Sequence, residues 1–319
     1  MDALQRMVTQ EKIMRSYTLE RRKFLKATLL AASSPAILRG AVHAGFEIGL
    51  VADAQYADID NKGTRFYRSS LSKLGAAVEH FNGRNIDFCA HLGDLIDREW
   101  RSFDEITRPL AASCQTWHHL LGNHDFDVLD ELKAKVPGRI GLEQRYRFFD
   151  HWGFRFVILD TNDVSTYAHA SGSAKHVAAD EEWKRLVTEK VLQSKPWNGG
   201  IGESQLAWFD RACIEARAAH MKVIVLAHHP VAPANEHNLW NSPTVLAALD
   251  RHRNVVAWLN GHNHAGNFAE HIGVPCVTMH GMVETAATTA FALARILPDR
   301  MVINGHGREP SRELVFRKT

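Results

Sequence analysis

Short apolar runs recur along the chain, and each stops abruptly at a cluster of polar residues. Phe46–Val51 (FEIGLV) leads into Ala52-Asp53-Ala54-Gln55, and residues 86–92 (IDFCAHL) lead into Gly93-Asp94-Leu95-Ile96-Asp97. Leu120-Leu121 ends in Gly122-Asn123-His124-Asp125, residues 223–227 (VIVLA) end in His228-His229-Pro230, and residues 255–259 end in Asn260-Gly261-His262-Asn263-His264. Runs of this length bounded by turn residues read as buried strands. Between them the apolar spacing turns helical. Phe66, Leu71, Leu74, Ala77, Val78 and Phe81 predict a crossover helix over residues 64–81, and residues 203–220 and 246–252 read as further helices. Residues 147–160 (RFFDHWGFRFVILD) predict two short strands about a His-Trp-Gly turn, and residues 290–317 predict strands joined at Pro298-Asp299. Strands alternating with helices define an α/β protein. Residues 162–202 break the pattern, being polar with only weak helical spacing at 181–192. So long an excursion is expected to form a cap-like insertion over the mouth of the sheet.

The polar ends of the strands carry the candidate chemistry. Open α/β sheets place their sites at the carboxyl ends of strands. Asp53 and Gln55 stand two apart, so pleat alternation would aim both side chains the same way. Alternation would also turn His229 away from its neighbour His228. Asp94 follows a glycine at a strand end, as do Asn123, His124 and Asp125. His262 and His264 share the two-residue spacing. Any one stretch could be an ordinary polar turn or a helix cap. Recurrence at successive strand ends argues against that. Asp53, Gln55, Asp94, Asn123, His228, His262 and His264 form a mixed oxygen and imidazole set without thiolate, suited to first-row divalent metals, with the oxygens favouring Mn²⁺ or Fe²⁺. Seven donors exceed what one ion with open positions needs. Two ions roughly 3.5–4 Å apart, bridged by one carboxylate, generate a hydroxide and clamp the oxygens of an in-line displacement at phosphorus. His124 is positioned for proton transfer, with Asp125 to hold its tautomer. Arg65 at the start of the first helix is a candidate phosphate contact.

Charge narrows the partners. Of 38 Lys/Arg and 36 Asp/Glu, eight and three fall within residues 1–44, leaving 30 against 33, a formal −3. A body of that sign carries no footprint for nucleic acid or an anionic membrane. The leader concentrates the positive charge: Glu20-Arg21-Arg22-Lys23-Phe24-Leu25-Lys26 precedes an apolar stretch and Val42-His43-Ala44, a small-x-small cleavage pattern. Residues 1–44 thus resemble a twin-arginine-type signal peptide, too short for a stable membrane span, implying the twin-arginine export machinery as a partner and a periplasmic or secreted location. Residues 45–319 form the catalytic domain. Cys89, Cys114, Cys213 and Cys276 have no close pair, and buried free thiols are expected.

In the order D-x-Q, G-D-x-x-D, G-N-H-D, H-x-P and G-H-x-H, these motifs resemble the calcineurin-like metallophosphoesterases. Asp53-Ala54-Gln55, where that superfamily usually has D-x-H, is shared with its manganese-dependent ADP-ribose/CDP-alcohol diphosphatases, as are TRFYRSS, LDTNDVS, NGGIGESQLAWFD, LNGHNHAGN, GMVET and GREPSREL. The resemblance implies a four-layer sandwich, two packed mixed β-sheets flanked by helices. It also implies two divalent ions, one on Asp53, Gln55 and His264, the other on Asn123, His228 and His262, with Asp94 bridging and His124 serving the leaving oxygen. The substrate it implies is a small nucleoside-diphosphate-linked molecule, ADP-ribose or a CDP-alcohol, cut at the diphosphate. A phosphomonoesterase or another phosphodiesterase of the superfamily is the nearest rival. A catalytically dead metal-binding scaffold would lack a ligand or an acid, and none is missing.

Overall fold

The computed structural model describes residues 45–318. The leader read over residues 1–44 lies outside the described residues. Among the described residues twelve strands form two sheets. In the first, β1 (Phe46–Val51), β2 (Phe88–His91) and β3 (Trp117–His119) run parallel, and β10 (Ala290–Ile296), β11 (Arg300–Gly307) and β12 (Arg312–Val315) extend it antiparallel from the other side of β1. In the second, β5 (Phe154–Ile158), β6 (Lys222–Leu226), β7 (Val255–Asn260) and β9 (Val274–Thr278) run parallel. β4 (Arg147–His151) and β8 (Asn267–His271) close its edges antiparallel.

Alternation within the strands builds the layers, broken in β7, where Val256 and Ala257 both face the shared core. Phe88 and Ala90, Phe154, Phe156 and Ile158, Ile224 and Leu226, and Ala257 and Leu259 all face a core shared by the two sheets. The intervening Cys89 faces helices α1 (Ser70–Asn82) and α2 (Ser102–Ala111), which cover the first sheet. Val157, Val223, Val225 and Trp258 face α4 (Glu203–Ala218) and α5 (Ser242–Arg251), which cover the second. Parallel strands with both faces buried read as continuous apolar runs, as these do in sequence. The helix–sheet–sheet–helix order is the four-layer sandwich that the resemblance implied.

Three local expectations are corrected. The LLGNHD stretch does not itself form a strand. β3 ends at His119, and residues 120–125 leave the sheet, because Asn123 opens a single 3₁₀ turn over His124–Phe126. The insertion carries a regular helix, α3 (Ala174–Thr188), beginning earlier than its weak apolar spacing suggested because Ser173 caps it through the His176 amide. Three of the four free cysteines are buried, whereas Cys114 is exposed. Among the described residues no helix is long and apolar enough to cross a membrane.

Candidate metal centre

Both sheets deliver their strand ends to one place. Beyond β1 the chain does not continue as pleated strand: Asp53 (φ 52°) and Gln55 (φ 42°) are both left-handed, as are Asp94 (φ 58°) and His262 (φ 70°). Neighbouring backbone holds them there, through bonds from the Asp53, Gln55 and Tyr56 amides to the carbonyls of Gly93, Asp94 and Leu95. The nearness of Asp53 to Gln55 therefore comes from strained turn geometry and not from pleat alternation. Non-glycine residues in this region cost on the order of 1–3 kcal/mol each and persist where the surroundings over-determine them, typically at functional sites. Gly122 completes the packing, since a Cβ there would collide with the Asp94 carboxylate.

Asp125 is the tie between two of these turns. Its carboxylate accepts from the backbone amides of Gly122 (2.8 Å), Leu95 (2.9 Å), Asp94 (3.1 Å) and Ile96 (3.2 Å). Burial and the nearby Asp94 charge raise its pKa to about 7, against the pull of those amides. The pairing expected between Asp125 and the His124 ring is not formed, because both Asp125 carboxylate oxygens are engaged by those four amides. Asp97 stands in that place instead: His124 Nδ1 lies 3.2 Å from the Asp97 carbonyl oxygen and 3.4 Å from its Oδ1. The other Asp97 oxygen accepts from Arg98 Nε at 2.7 Å. The Asp97 carbonyl fixes the Nδ1 side of the ring, with the Asp97 carboxylate oxygen close by, and Nε2 faces away from both.

The three strand-end imidazoles are each fixed from behind. His228 Nδ1 faces the Leu92 carbonyl at 2.8 Å, His262 Nε2 faces Asn198 Oδ1 at 2.8 Å, and His264 Nδ1 faces Glu284 Oε1 at 2.8 Å. Each acceptor engages the rear nitrogen, so the front nitrogen is the one that faces the centre. The front nitrogens of His228 and His262 meet acceptors and each other, whereas that of His264 accepts from the Gln55 amide. His228 Nε2 is 3.2 Å from Asn123 Oδ1, 3.2 Å from His262 Nδ1 and 3.4 Å from Asp94 Oδ2. His264 Nε2 is 3.7 Å from Asp53 Oδ1 and 2.9 Å from the Gln55 amide, which also reaches Asp94 Oδ2 at 2.9 Å. The Gln55 amide is oriented with Nε2 toward the centre, and its buried Oε1 has no partner. A half-turn of the amide presents that oxygen to a cation between Asp53, Asp94 and His264.

Lone pairs converging beside two fully buried carboxylates require positive charge. Burial raises the Asp53 pKa against the charges of His264 and His228. Burial also opposes ionisation of Asp94, yet His228 and His124 hold it far below the usual carboxylate range. Burial alone would lower the pKa of His228, but Asp94 first, and Asp53 with it, raise it to about 9. The field that would hold a proton there is the field that holds a divalent cation, and this donor set fits one. Asp53, Asp94 and His264 form one cluster with ligand atoms within 4.8 Å of each other, and His228, His229 and His262 form a second.

His229 is not turned away. β6 ends at Leu226, so alternation no longer governs, and the His229 ring lies 4.2 Å from that of His262. Its nitrogens face Thr161 Oγ1 at 2.7 Å and the Trp197 carbonyl at 3.4 Å. It therefore forms a wall of the site. Arg65, the candidate phosphate contact, has Nε 4.0 Å from Glu284 Oε1 and a side chain 36% exposed. Asp97, Asn198 and Glu284 were not singled out in sequence. Asp97 stands in the G-D-x-x-D spacing, and Asn198 and Glu284 stand in the NGGIGESQLAWFD and GMVET stretches, but in loops where no periodicity marks them as site residues.

Residues 46–266 match the family model of the calcineurin-like phosphoesterases. A manganese-dependent ADP-ribose/CDP-alcohol diphosphatase of Xenopus tropicalis is 31% identical, the alignment covering 85% of this chain and 94% of that protein. One from Arabidopsis thaliana is 30% identical over 83% of this chain and 96% of its own length. Among solved structures, a dimetal phosphatase from Danio rerio superposes with a TM-score of 0.77 at 28% identity, covering 85% of this chain and 99% of that one.

Proposed function

The chain belongs to the calcineurin-like phosphoesterases, and from that premise we propose that it hydrolyses the diphosphate bond of nucleoside-diphosphate-linked substrates, ADP-ribose and CDP-alcohols, using two divalent ions, manganese by preference. The observation that carries the reading is the convergence of seven donors from two sheets, with Asp94 Oδ2 within 3.4 Å of His228 on one side and 2.9 Å of Gln55 on the other. That carboxylate is placed to be shared. Asp53, Gln55 and His264 would hold one ion, and Asn123, His228 and His262 the other. When bound, such ions supply an activated water and neutralise charge on the phosphate oxygens. The protein's own groups do the rest. His124 Nε2, its ring fixed by Asp97, donates a proton toward the departing phosphate oxygen. Asp125 keeps the Asp94 and Asn123 turns in register. Arg65 is positioned at the rim for a second phosphate.

The experiment is turnover of ADP-ribose, CDP-choline and a simple aryl phosphate by the metal-free protein reconstituted with Mn²⁺, Fe²⁺, Zn²⁺ or Mg²⁺. Diphosphate cleavage that needs Mn²⁺ and exceeds aryl phosphate turnover is the expected result. Preference for the monoester would move the chain to another activity of the superfamily, and no turnover of any would return it to the scaffold reading.

A further inference from the structure

Lys73 is a lysine on the core face of a helix. It sits in α1 beside Leu74, Ala77 and Phe81, and is 3% exposed. Its ammonium meets four consecutive carbonyl oxygens: Met282 at 2.8 Å, Val283 at 3.2 Å, Glu284 at 3.0 Å and Thr285 at 2.6 Å. Four buried carbonyls aimed at one point are unfavourable without a cation or donors to satisfy them. Lys73 therefore fixes the path of residues 282–285.

That path runs directly behind one half of the metal centre. The Met282 and Val283 amides donate to the carbonyls of Ala52 (3.0 Å) and Asp53 (2.9 Å), and the Gly281 amide to that of His264 (3.2 Å). A side chain at Gly281 would strike the His264 ring. Glu284 projects from the clamped segment to take His264 Nδ1 at 2.8 Å. The order of contacts is ammonium, backbone, carboxylate, imidazole. His228 and His262 use other rear partners, Leu92 and Asn198, so the clamped segment holds an imidazole from behind in one half of the centre only.

We propose that Lys73 and Glu284 are positioning residues that set the affinity of the metal position containing His264, leaving the position containing His228 and His262 unchanged. The inference rests on the two-ion reading above. Outer partners of metal-bound imidazoles typically govern about 10–100-fold in metal affinity.

The test is titration of the metal-free full chain with MnCl₂, free Mn²⁺ being read by electron paramagnetic resonance. Wild type, Glu284→Gln, Lys73→Met and the double variant are compared. Glu284→Gln should weaken one of two Mn²⁺ affinities by about 10–100-fold. Lys73→Met should weaken the same one, and the double variant should be no worse than the weaker single, because both act along one chain of contacts. Should Lys73→Met not fold, Glu284→Gln leaves the ammonium clamp intact and carries the test through the same readout. Glu284→Gln affinities within about two-fold of wild type would overturn the proposal, as would equal weakening of both positions or additive losses. Failure of wild type itself to take up Mn²⁺ would instead refute the metal reading on which it rests.

Discussion

At the scale of single residues, the proton-transfer assignment depends on which carboxylate serves His124. Asp97 lies against Nδ1, while Asp125 binds only backbone amides. The two acids should therefore fail differently. His124→Ala should keep both metals and lose turnover by about 10²–10⁴-fold, less for substrates with good leaving groups. Asp97→Asn should lose part of the same factor, since the amide no longer stabilises a protonated ring, and should alter the pH profile without changing metal content. Asp125→Asn should lower thermal stability first, because one oxygen acceptor is replaced by a donor facing buried amides. Steady-state kinetics with metal analysis separates the three. An Asp125→Asn enzyme that is stable yet as impaired as His124→Ala would restore Asp125 to the catalytic role.

At the scale of elements, legibility in the sequence followed local physics. β1, β2, β5, β6 and β7, and the helices α1, α4 and α5, were readable because each buries an unbroken run or stripe. Six of the seven expected ligands, Asp53, Gln55, Asp94, His228, His262 and His264, follow the end of such a strand, whereas Asn123 follows the short β3 through residues that leave the sheet. What escaped was set by contacts between distant segments. The left-handed turns at Asp53 and Gln55 are held by residues 93–95, and their geometry is not encoded in a two-residue spacing. Asn198 reaches the centre only because residues 162–202 fold back on themselves, with Val164 paired to Gly200. Its side chain then accepts from His262 and donates to the carbonyls of Gln193 (2.9 Å) and Glu236 (2.7 Å). The insertion is thus anchored to the rear nitrogen of His262, a proposed ligand. Asn198→Ala should raise the Mn²⁺ concentration for half-maximal activity on the order of ten-fold and make residues 193–198 more susceptible to proteolysis. An unchanged metal requirement would reduce Asn198 to loop packing.

At the scale of the whole molecule, the centre is a junction between layers. Asp53, Gln55, Asp94 and Asn123 follow strands of the first sheet, and His228, His262 and His264 follow strands of the second. The sheets already share an apolar core, but their polar rims meet where Asp53 and Asp94 are fully buried together with His228. Without cations the two buried carboxylates of this rim are balanced only by protons taken up on imidazoles such as His228. Bound divalent ions would supply more positive charge between groups of both sheets, and the unfolded chain cannot assemble the same ligand set. A ligand that binds only the native state at 100 times its Kd stabilises by about 2.7 kcal/mol. For a domain of this size that corresponds to a rise in Tm of roughly 5–10 °C. Chelation should therefore lower Tm by that amount, and Mn²⁺ should restore it. Asp94→Asn, which removes the carboxylate proposed to be shared, should melt at nearly the same temperature with or without Mn²⁺. Scanning calorimetry of both proteins in chelator and in excess Mn²⁺ decides the matter. A wild-type Tm indifferent to metal would mean that the ions contribute nothing to joining the sheets. A metal-dependent shift retained in full by Asp94→Asn would mean that Asp94 is not the group they share.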